Sequence, residues 1–327
     1  MEGFSFAPKF AVSMLTIHSD FSGFRPSRNL VVTIGTFDGV HLGHRAILEE
    51  IRTRAREADG ESALLTFYPH PRIILHPEDH GLRLLSTPAE KATQLEEAGL
   101  DHLIVYPFSP SFSRMTAEEY VRNLLVNGLH AHTVVVGYDH RFGRNREGDF
   151  STLRELSEVF GFRVEEIPAR DVDAIHVSST KIREALERGE VEFAHRLLGY
   201  HYTLEGEVVH GDAQGRTMGF PTANIRVAYP YKLIPCHGVY AIHAEMRGNR
   251  WNGVLNIGVR PTVSEESELR LEAHLFDFDH MVYGENIRVR LLARIREERQ
   301  FASVYDLQRQ IAEDCQKARE RCAHAQP

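Results

Sequence analysis

The stretch "TIGTFDGVHLGHRAIL", Thr33 to Leu48, sets three glycines, two histidines and an aspartate between an apolar run and a helical pattern. The run "LVVTI" predicts a strand ending at Gly35, and the helix is expected to begin near His44. Glycine lets a ligand approach the backbone closely, and the amides at a helix start attract phosphate oxygens. Gly35, Phe37, Asp38, Gly39 and Gly43 therefore mark a candidate phosphate-binding turn, with His41 and His44 as two side-chain donors beside it. No lysine follows the glycines, which sets the turn apart from the GxxxxGK[ST] loop. The same HxxH spacing also suits a helix cap or a pair of zinc ligands.

Outward from this turn, "SALLTFYP", "HLIVYPF", "HTVVVGYD" and "FRVEEIP" repeat the short apolar run, giving five buried strands. Between them lie "HRAILEEIRTRAREAD", "PAEKATQLEEAG", "TAEEYVRNLLVNG" and "DFSTLRELSEVFG", the last three opening on Pro, Thr or Asp and closing on Gly as helices do. Alternating strand and helix predicts an α/β, Rossmann-like domain with a parallel sheet, whose ligands sit at the carboxyl ends of the strands. From about Tyr200 the pattern changes to "YTLEGEVVHG", "GVYAIHAEM", "NRWNGVLNIG", "ELRLEAHLFDF" and "NIRVRLLARIR", which predicts an antiparallel β-barrel or sandwich. A terminal helix follows, with Val304, Leu307, Ile311, Cys315 and Ala318 on one apolar face expected to pack on the barrel. The polar helical stretch "REALERGEVEFAHRLLGY" marks the junction, so the expected domains are 1–186 and 187–327.

Composition narrows the class of function. The 327 residues, 42% of them hydrophobic, suffice for two buried cores. A net charge of -8 with no long basic run argues against a nucleic-acid surface. Three cysteines, Cys236, Cys315 and Cys322, without CxxC spacing suggest neither a disulfide framework nor a thiolate zinc site, and fit a cytoplasmic location. No apolar run approaches the roughly 18 residues of a membrane span, so no membrane partner is expected.

Two further stretches read as phosphate chemistry. "HVSSTKIREAL" gathers Ser178, Ser179, Thr180, Lys181 and Arg183 at a helix start, suited to an outgoing pyrophosphate and equally readable as a capping sequence with Glu184. "GDAQGRTMGFPTANI" combines a glycine-bounded loop with Thr222 and Asn224, oxygen ligands of the kind that hold Mg²⁺ together with substrate phosphates.

The first of these motifs resembles the HxGH signature of nucleotidyltransferases, and "HVSSTKIREAL" stands where that superfamily places its ISSTxIR element. "TFYPHPR" and "VVVGYDHRFGRNREGD" resemble the FMN adenylyltransferase branch, while "GFPTAN", "GVLNIGVRPTV", "LEAHLFDF" and "IREERQF" resemble riboflavin kinase. From about Leu30 to the terminal helix, the chain is thus similar to the bacterial bifunctional riboflavin kinase and FAD synthetase family. The resemblance implies phosphorylation of riboflavin to FMN with release of ADP, then adenylylation of FMN to FAD with release of pyrophosphate, ATP and Mg²⁺ serving both. It makes Glu272 the kinase base, Thr222 and Asn224 the metal ligands, and Gly215, Arg216, Gly219, Phe220 and Pro221 the nucleotide loop. His41 and His44 would stabilise charge on the α-phosphate, and Pro69, His70, Pro71, Asp139, Arg141 and Phe142 would contact flavin. Two departures, His140 in place of a phenylalanine and His176 in place of an arginine, imply altered FMN affinity rather than lost chemistry. The leading residues 1–13 receive no role, and no pattern fixes an oligomeric state. A nucleotidyltransferase for another acceptor, or a flavin-binding protein with decayed sites, is disfavoured by "PTAN", "LEAHLFDF" and the intact phosphate-handling residues.

Overall fold

A computed structural model describes residues 15–78, 81–167, 177–211, 215, 218–260 and 268–324. By its internal contacts the chain divides into one unit of residues 1–82 and 88–176 and a second of 83–87 and 177–327.

The first unit is a six-stranded, all-parallel sheet in the order β1-β4-β3-β2-β5-β6. The five expected runs form β2 (Asn29–Ile34), β3 (Gly60–Tyr68), β4 (His102–Pro107), β5 (Ala131–Gly137) and β6 (Arg163–Ile167), with a three-residue edge strand β1 (Thr16–His18) added. Parallel strands are covered on both faces, which is why they read as continuous apolar runs. Val31 and Leu64 pack into one buried cluster and Leu30, Val32, Ala63 and Leu65 into the other. Helices α1 (Leu42–Glu57), α2 (Pro71–Leu75), α3 (Pro88–Glu97), α4 (Ala117–Tyr120, continued as a π-helix over Val121–Gly128) and α5 (Phe150–Phe160) connect the strands. α1 starts two residues before the expected His44, because His41 takes the N-cap position and lets Leu42 and Gly43 enter the first turn. The strand order reverses at β2, with β3 on one side and β5 on the other, so the turn after β2 lies at the switch point where such sheets bind ligands.

The second unit is a closed antiparallel barrel in the order β10-β11-β8-β7-β12-β9. Its strands are β7 (Thr203–Val209), β8 (Ala223–Arg226), β9 (Gly238–Met246), β10 (Asn249–Arg260), β11 (Glu268–Leu275) and β12 (Asn286–Arg296). Helices α6 (Ser179–Glu187) and α7 (Val191–Leu198) contribute Ile182, Ala185, Leu186, Val191, Ala194 and Leu198 to the barrel's core cluster, so the stretch that reads as polar buries one full face. Residues 83–87 strap onto the same unit. The Leu84 amide donates to Tyr231 O at 2.6 Å and Leu84 O accepts from the Leu233 amide at 2.8 Å, while Leu85 enters the core. The Lys232 ammonium, 4% exposed, donates to Leu85 O at 2.7 Å and lies 4.3 Å from the centre of the Tyr202 ring.

The terminal helix α8 (Val304–His324) packs on the outside of the barrel, closing a small cluster with Val239, Ala241, Val254 and Leu292. Its fully buried stripe is Gln310, Asp314, Ala318 and Cys322, one position off the expected apolar face for two of its members. Val304, expected to be buried, is 63% exposed. It heads the first turn, while the contact with the barrel runs through the later turns around the ion pair of Asp314 and Arg296.

Candidate active sites

In the turn after β2, Phe37, Gly39 and Val40 have φ of 45°, 82° and 35°. Only glycine adopts such values freely, so Phe37 and Val40 store roughly 1–3 kcal/mol each, a strain that persists where the surroundings hold a functional geometry. Both are buried. His41 caps α1, its Nδ1 accepting from the His44 amide at 3.3 Å. The rings of His41 and His44 stack at 3.6 Å and those of His44 and Phe37 at 4.5 Å. His44 Nδ1 is buried without a hydrogen-bond partner. Burial first, then the charges of His41 and Lys91, hold the His44 imidazole well below its ordinary pKa, so it enters neutral at pH 7. Lys91, from α3, donates to Thr36 O at 2.6 Å under the turn, and burial lowers its pKa against the opposing charge of Asp38, itself 3% exposed. The cap reading of HxxH thus holds for His41, and the unpartnered ring atom belongs to His44.

The loops that follow β3 and β5 flank this turn. After β3, a cis Tyr68–Pro69 bond leads to His70, which caps α2 by accepting from the Arg72 amide at 3.3 Å, with Pro71 in the first turn. After β5, Arg141 pairs with Asp149 at 2.8 Å, and Asp149 in turn caps α5. Phe142 is buried against Tyr120, its backbone bridged to Gly148. Arg141 and Phe142 therefore hold the loop, while Asp139 is exposed. His140 stacks on Phe142 at 5.8 Å; its Nε2 is buried without a partner, and burial draws its pKa down to about 4.

At the start of α6, Ser178 is the N-cap, accepting from the Lys181 amide at 3.3 Å, and Thr180 and Lys181 are exposed. Arg183 donates to Arg83 O at 2.8 Å, and Ser179 is half-buried.

On the barrel, the PTAN stretch is the entry to β8. Register places Asn224 directly opposite Glu272 on β11, and Glu272 directly opposite Asn256 on β10. Opposed residues share a face, so the three side chains form one row. Leu271 and Ala273 point into the core, which leaves Glu272 on the outer face, as the alternation predicts. The row lines a cavity of about 410 Å³ that also takes in Thr222, Met218, Phe220 and, from α8, Leu307 and Ile311. A second cavity, of about 300 Å³, shares Thr222 and Asn224 but not Glu272. Neither Thr222 nor Asn224 is hydrogen-bonded through its side chain to another described residue, and an added Cβ at Gly211 would lie 2.0 Å from Asn224 Nδ2, so the glycine makes the room that the amide occupies. Arg270 lies 3.9 Å from Glu272. Pro221 O contacts His274 Nδ1 at 2.8 Å, and the Phe220 amide donates to Gly215 O at 2.8 Å, which together fix the loop. Gly219 has φ 85°, and Arg216, like His176 and residues 1–13, lies outside the described residues.

Single-sequence reasoning missed Lys91, Asn256, Arg270 and the Arg296–Asp314 pair. Register across β8, β11 and β10 is what reveals Asn256, and no local pattern announces the others. Among the described residues no group of three or more His, Cys, Asp or Glu side chains forms a metal cage. No described helix is long and apolar enough to cross a membrane.

A turn at the switch point of a parallel sheet on one unit, and a carboxylate in one row with Asn224 and beside Thr222 on the other, are the arrangements expected of an ATP-using transferase with two sites. Family models agree: FAD synthetase matches residues 24–181 and riboflavin kinase residues 198–322. The bifunctional riboflavin kinase/FMN adenylyltransferase of Haemophilus influenzae is 40% identical over 90% of this chain and 95% of its own length, and that of Escherichia coli K12 38% identical over 90% and 93%. The corresponding protein of Listeria monocytogenes is 37% identical over 89% of this chain and 92% of its own. A crystal structure described as a macrolide-efflux protein from Streptococcus pneumoniae superposes with a TM-score of 0.82 at 30% identity, over 94% of this chain and 99% of that one. The chain belongs to the bifunctional riboflavin kinase/FMN adenylyltransferase family.

Proposed function

We infer that the chain phosphorylates riboflavin to FMN and then adenylylates FMN to FAD, each step using one ATP. The observation that carries the kinase half is the row Asn224–Glu272–Asn256 along the cavity that Thr222 also lines. Glu272 must touch the flavin hydroxyl, so riboflavin takes the cavity that Glu272 lines and ATP the neighbouring one, with the expected nucleotide loop edging both: Gly215 and Phe220 line the first and Pro221 the second. Thr222 and Asn224 line both, at the junction where the γ-phosphate meets the hydroxyl. Two neutral, unengaged oxygens without a carboxylate cage fit Mg²⁺ held jointly with phosphates. When bound, Mg²⁺ neutralises charge on the phosphates. Glu272 accepts the proton of the terminal hydroxyl as its oxygen bonds to the γ-phosphorus, and ADP leaves.

In the adenylyl-transfer half, an FMN phosphate oxygen attacks the α-phosphorus of ATP and the bond to the bridging oxygen of pyrophosphate breaks. No proton needs removal, since the attacking phosphate is already an anion. His44, held neutral, and His41 at the start of α1 contribute hydrogen bonds and oriented dipoles to the developing charge, with the turn from Gly35 to Gly43 as the backbone cradle. Pro69, His70 and Pro71 on one side and Asp139 to Phe142 on the other frame the flavin. The division of labour we propose is 1–186 for adenylyl transfer and 187–327 for phosphorylation, in the cytoplasm.

Chromatography of flavins over time, with full-length His44→Ala and Glu272→Gln chains started from riboflavin or from FMN, tests the assignment. His44→Ala is expected to accumulate FMN without FAD, and Glu272→Gln to make FAD only when FMN is supplied. Loss of both activities in either folded variant would refute the two-site reading, and chelation of Mg²⁺ that left either step running would remove the metal from it.

A further inference from the structure

The row of side chains across the barrel face does not end at the base. It runs Asn224, Glu272, Asn256 and then Val239, one residue from each of the successive strands β8, β11, β10 and β9. Adjacent strands lie about 4.8 Å apart, so the row grades from oxygen ligand to carboxylate to amide to hydrocarbon in steps of that size. Asn224 lines both cavities, whereas Asn256 lines only the one assigned to riboflavin, on the side of Glu272 away from the phosphoryl donor. Beyond Asn256 the wall carries an apolar bed of Val239, Val254, Leu307 and Ile311, bordered by charged groups that include Glu298 and Arg299.

Riboflavin has the same polarity profile: a terminal hydroxyl that reacts, a chain of hydroxyls, and a flat ring system. With the terminal hydroxyl at Glu272 and the ring on the apolar bed, the chain hydroxyls pass Asn256. Its side-chain amide supplies one carbonyl acceptor and two N–H donors, which suits a run of hydroxyls that each donate and accept. The side chain is half-buried and makes no hydrogen bond to another described residue, so its capacity is open toward the cavity.

We propose that Asn256 is a substrate-positioning residue of the kinase step, binding the polyol chain of riboflavin through its side-chain amide so that the terminal hydroxyl faces Glu272. This rests on the placement of riboflavin in the Glu272 cavity. One or two neutral hydrogen bonds amount to roughly a tenfold effect on kcat/KM.

The test uses the full chain with riboflavin and with a flavin whose side chain is a plain alkyl bearing only the terminal hydroxyl. Wild type is expected to prefer riboflavin about tenfold, and Asn256→Ala to erase that preference while FMN adenylylation proceeds as in wild type. Asn256→Ser gives the same comparison should the alanine variant fold poorly, with fluorescence of Trp251, the single tryptophan, reporting the fold of the barrel. An equal fall for both flavins, or no fall for either, overturns the role of Asn256. Undiminished phosphorylation of riboflavin by Glu272→Gln would instead overturn the placement on which it rests.

Discussion

Replacing Asp314 by alanine would strip the partner from Arg296 at the point where α8 meets the barrel. Asp314 is 2% exposed and accepts from Arg296 Nε at 2.9 and 3.1 Å and from Nη2 at 2.8 Å; Gln310 Nε2 adds a fourth contact at 2.9 Å. Breaking a buried pair by removing one member costs roughly 3–5 kcal/mol, mostly for the charge left behind without a partner. Against a total of about 5–15 kcal/mol for a domain, that is a large fraction of the barrel's stability. For a unit of about 150 residues, 1 kcal/mol corresponds to roughly 2–4 °C, so the barrel is expected to melt about 6–20 °C lower. Trp251 lies on β10 against Phe278, so its fluorescence follows this unit alone. FMN adenylylation, measured on the same sample, is expected to survive to the wild-type temperature. The paired change Arg296→Met with Asp314→Leu puts hydrocarbon where both charges stood and is expected to recover most of the loss. A single variant melting within about 2 °C of wild type would show that the pair contributes little and that the helix is held by apolar contact alone.

Two further outcomes follow from the barrel. Gly211→Ala drives a methyl to within 2.0 Å of the Asn224 amide, so riboflavin phosphorylation is expected to fall at least tenfold and to need more Mg²⁺, with adenylylation untouched; a wild-type Mg²⁺ titration would refute the crowding. Burial, then His201 beside it at 3.0 Å, lowers the His195 pKa from 6.5 to about 3, so the folded barrel refuses a proton that the unfolded chain accepts. The barrel's stability is therefore intact above pH 6.5 and falls as pH drops toward 3, by roughly 2–3 kcal/mol at pH 4.5 for this one group. Urea unfolding followed at Trp251 is expected to show a shallower acid loss in His195→Gln, and identical pH dependence in the two chains would rule His195 out as its source.

The elements that were legible in the sequence are those whose physics is local. Five parallel strands announce themselves as apolar runs because both faces are covered, and five barrel strands by alternation. β1 and β8 escape because three or four residues hold too little pattern, and β8 is further masked by the proline and glycines before it. The helix start at Leu42 was displaced because histidine is not among the residues that usually cap a helix, yet His41 does so through its ring nitrogen. On α8 the apolar pattern points to Ile311 and Cys315, whereas the buried stripe runs through Gln310 and Asp314, since a polar residue is buried when its partner is buried with it. Lys232 makes the same point inside the barrel: its charge is carried into the core by the Leu85 carbonyl and the Tyr202 ring, and the carbonyl comes from a segment far away in the chain. The candidate sites divide along the same line. His41, His44, Thr222 and Asn224 sit in short motifs whose chemistry can be read in place, and Glu272 stands out once alternation puts it on the outer face. Asn256 becomes part of the site only when β8, β11 and β10 are set in register. That pairing is fixed by the closure of the barrel and by the inward-facing residues of each strand, because a slip of one residue would turn Leu271 and Ala273 out to solvent and Glu272 into the core. The apolar side of β11 thus sets the face on which Glu272 stands, and the packing of the core is what aligns it with Asn224 and Asn256.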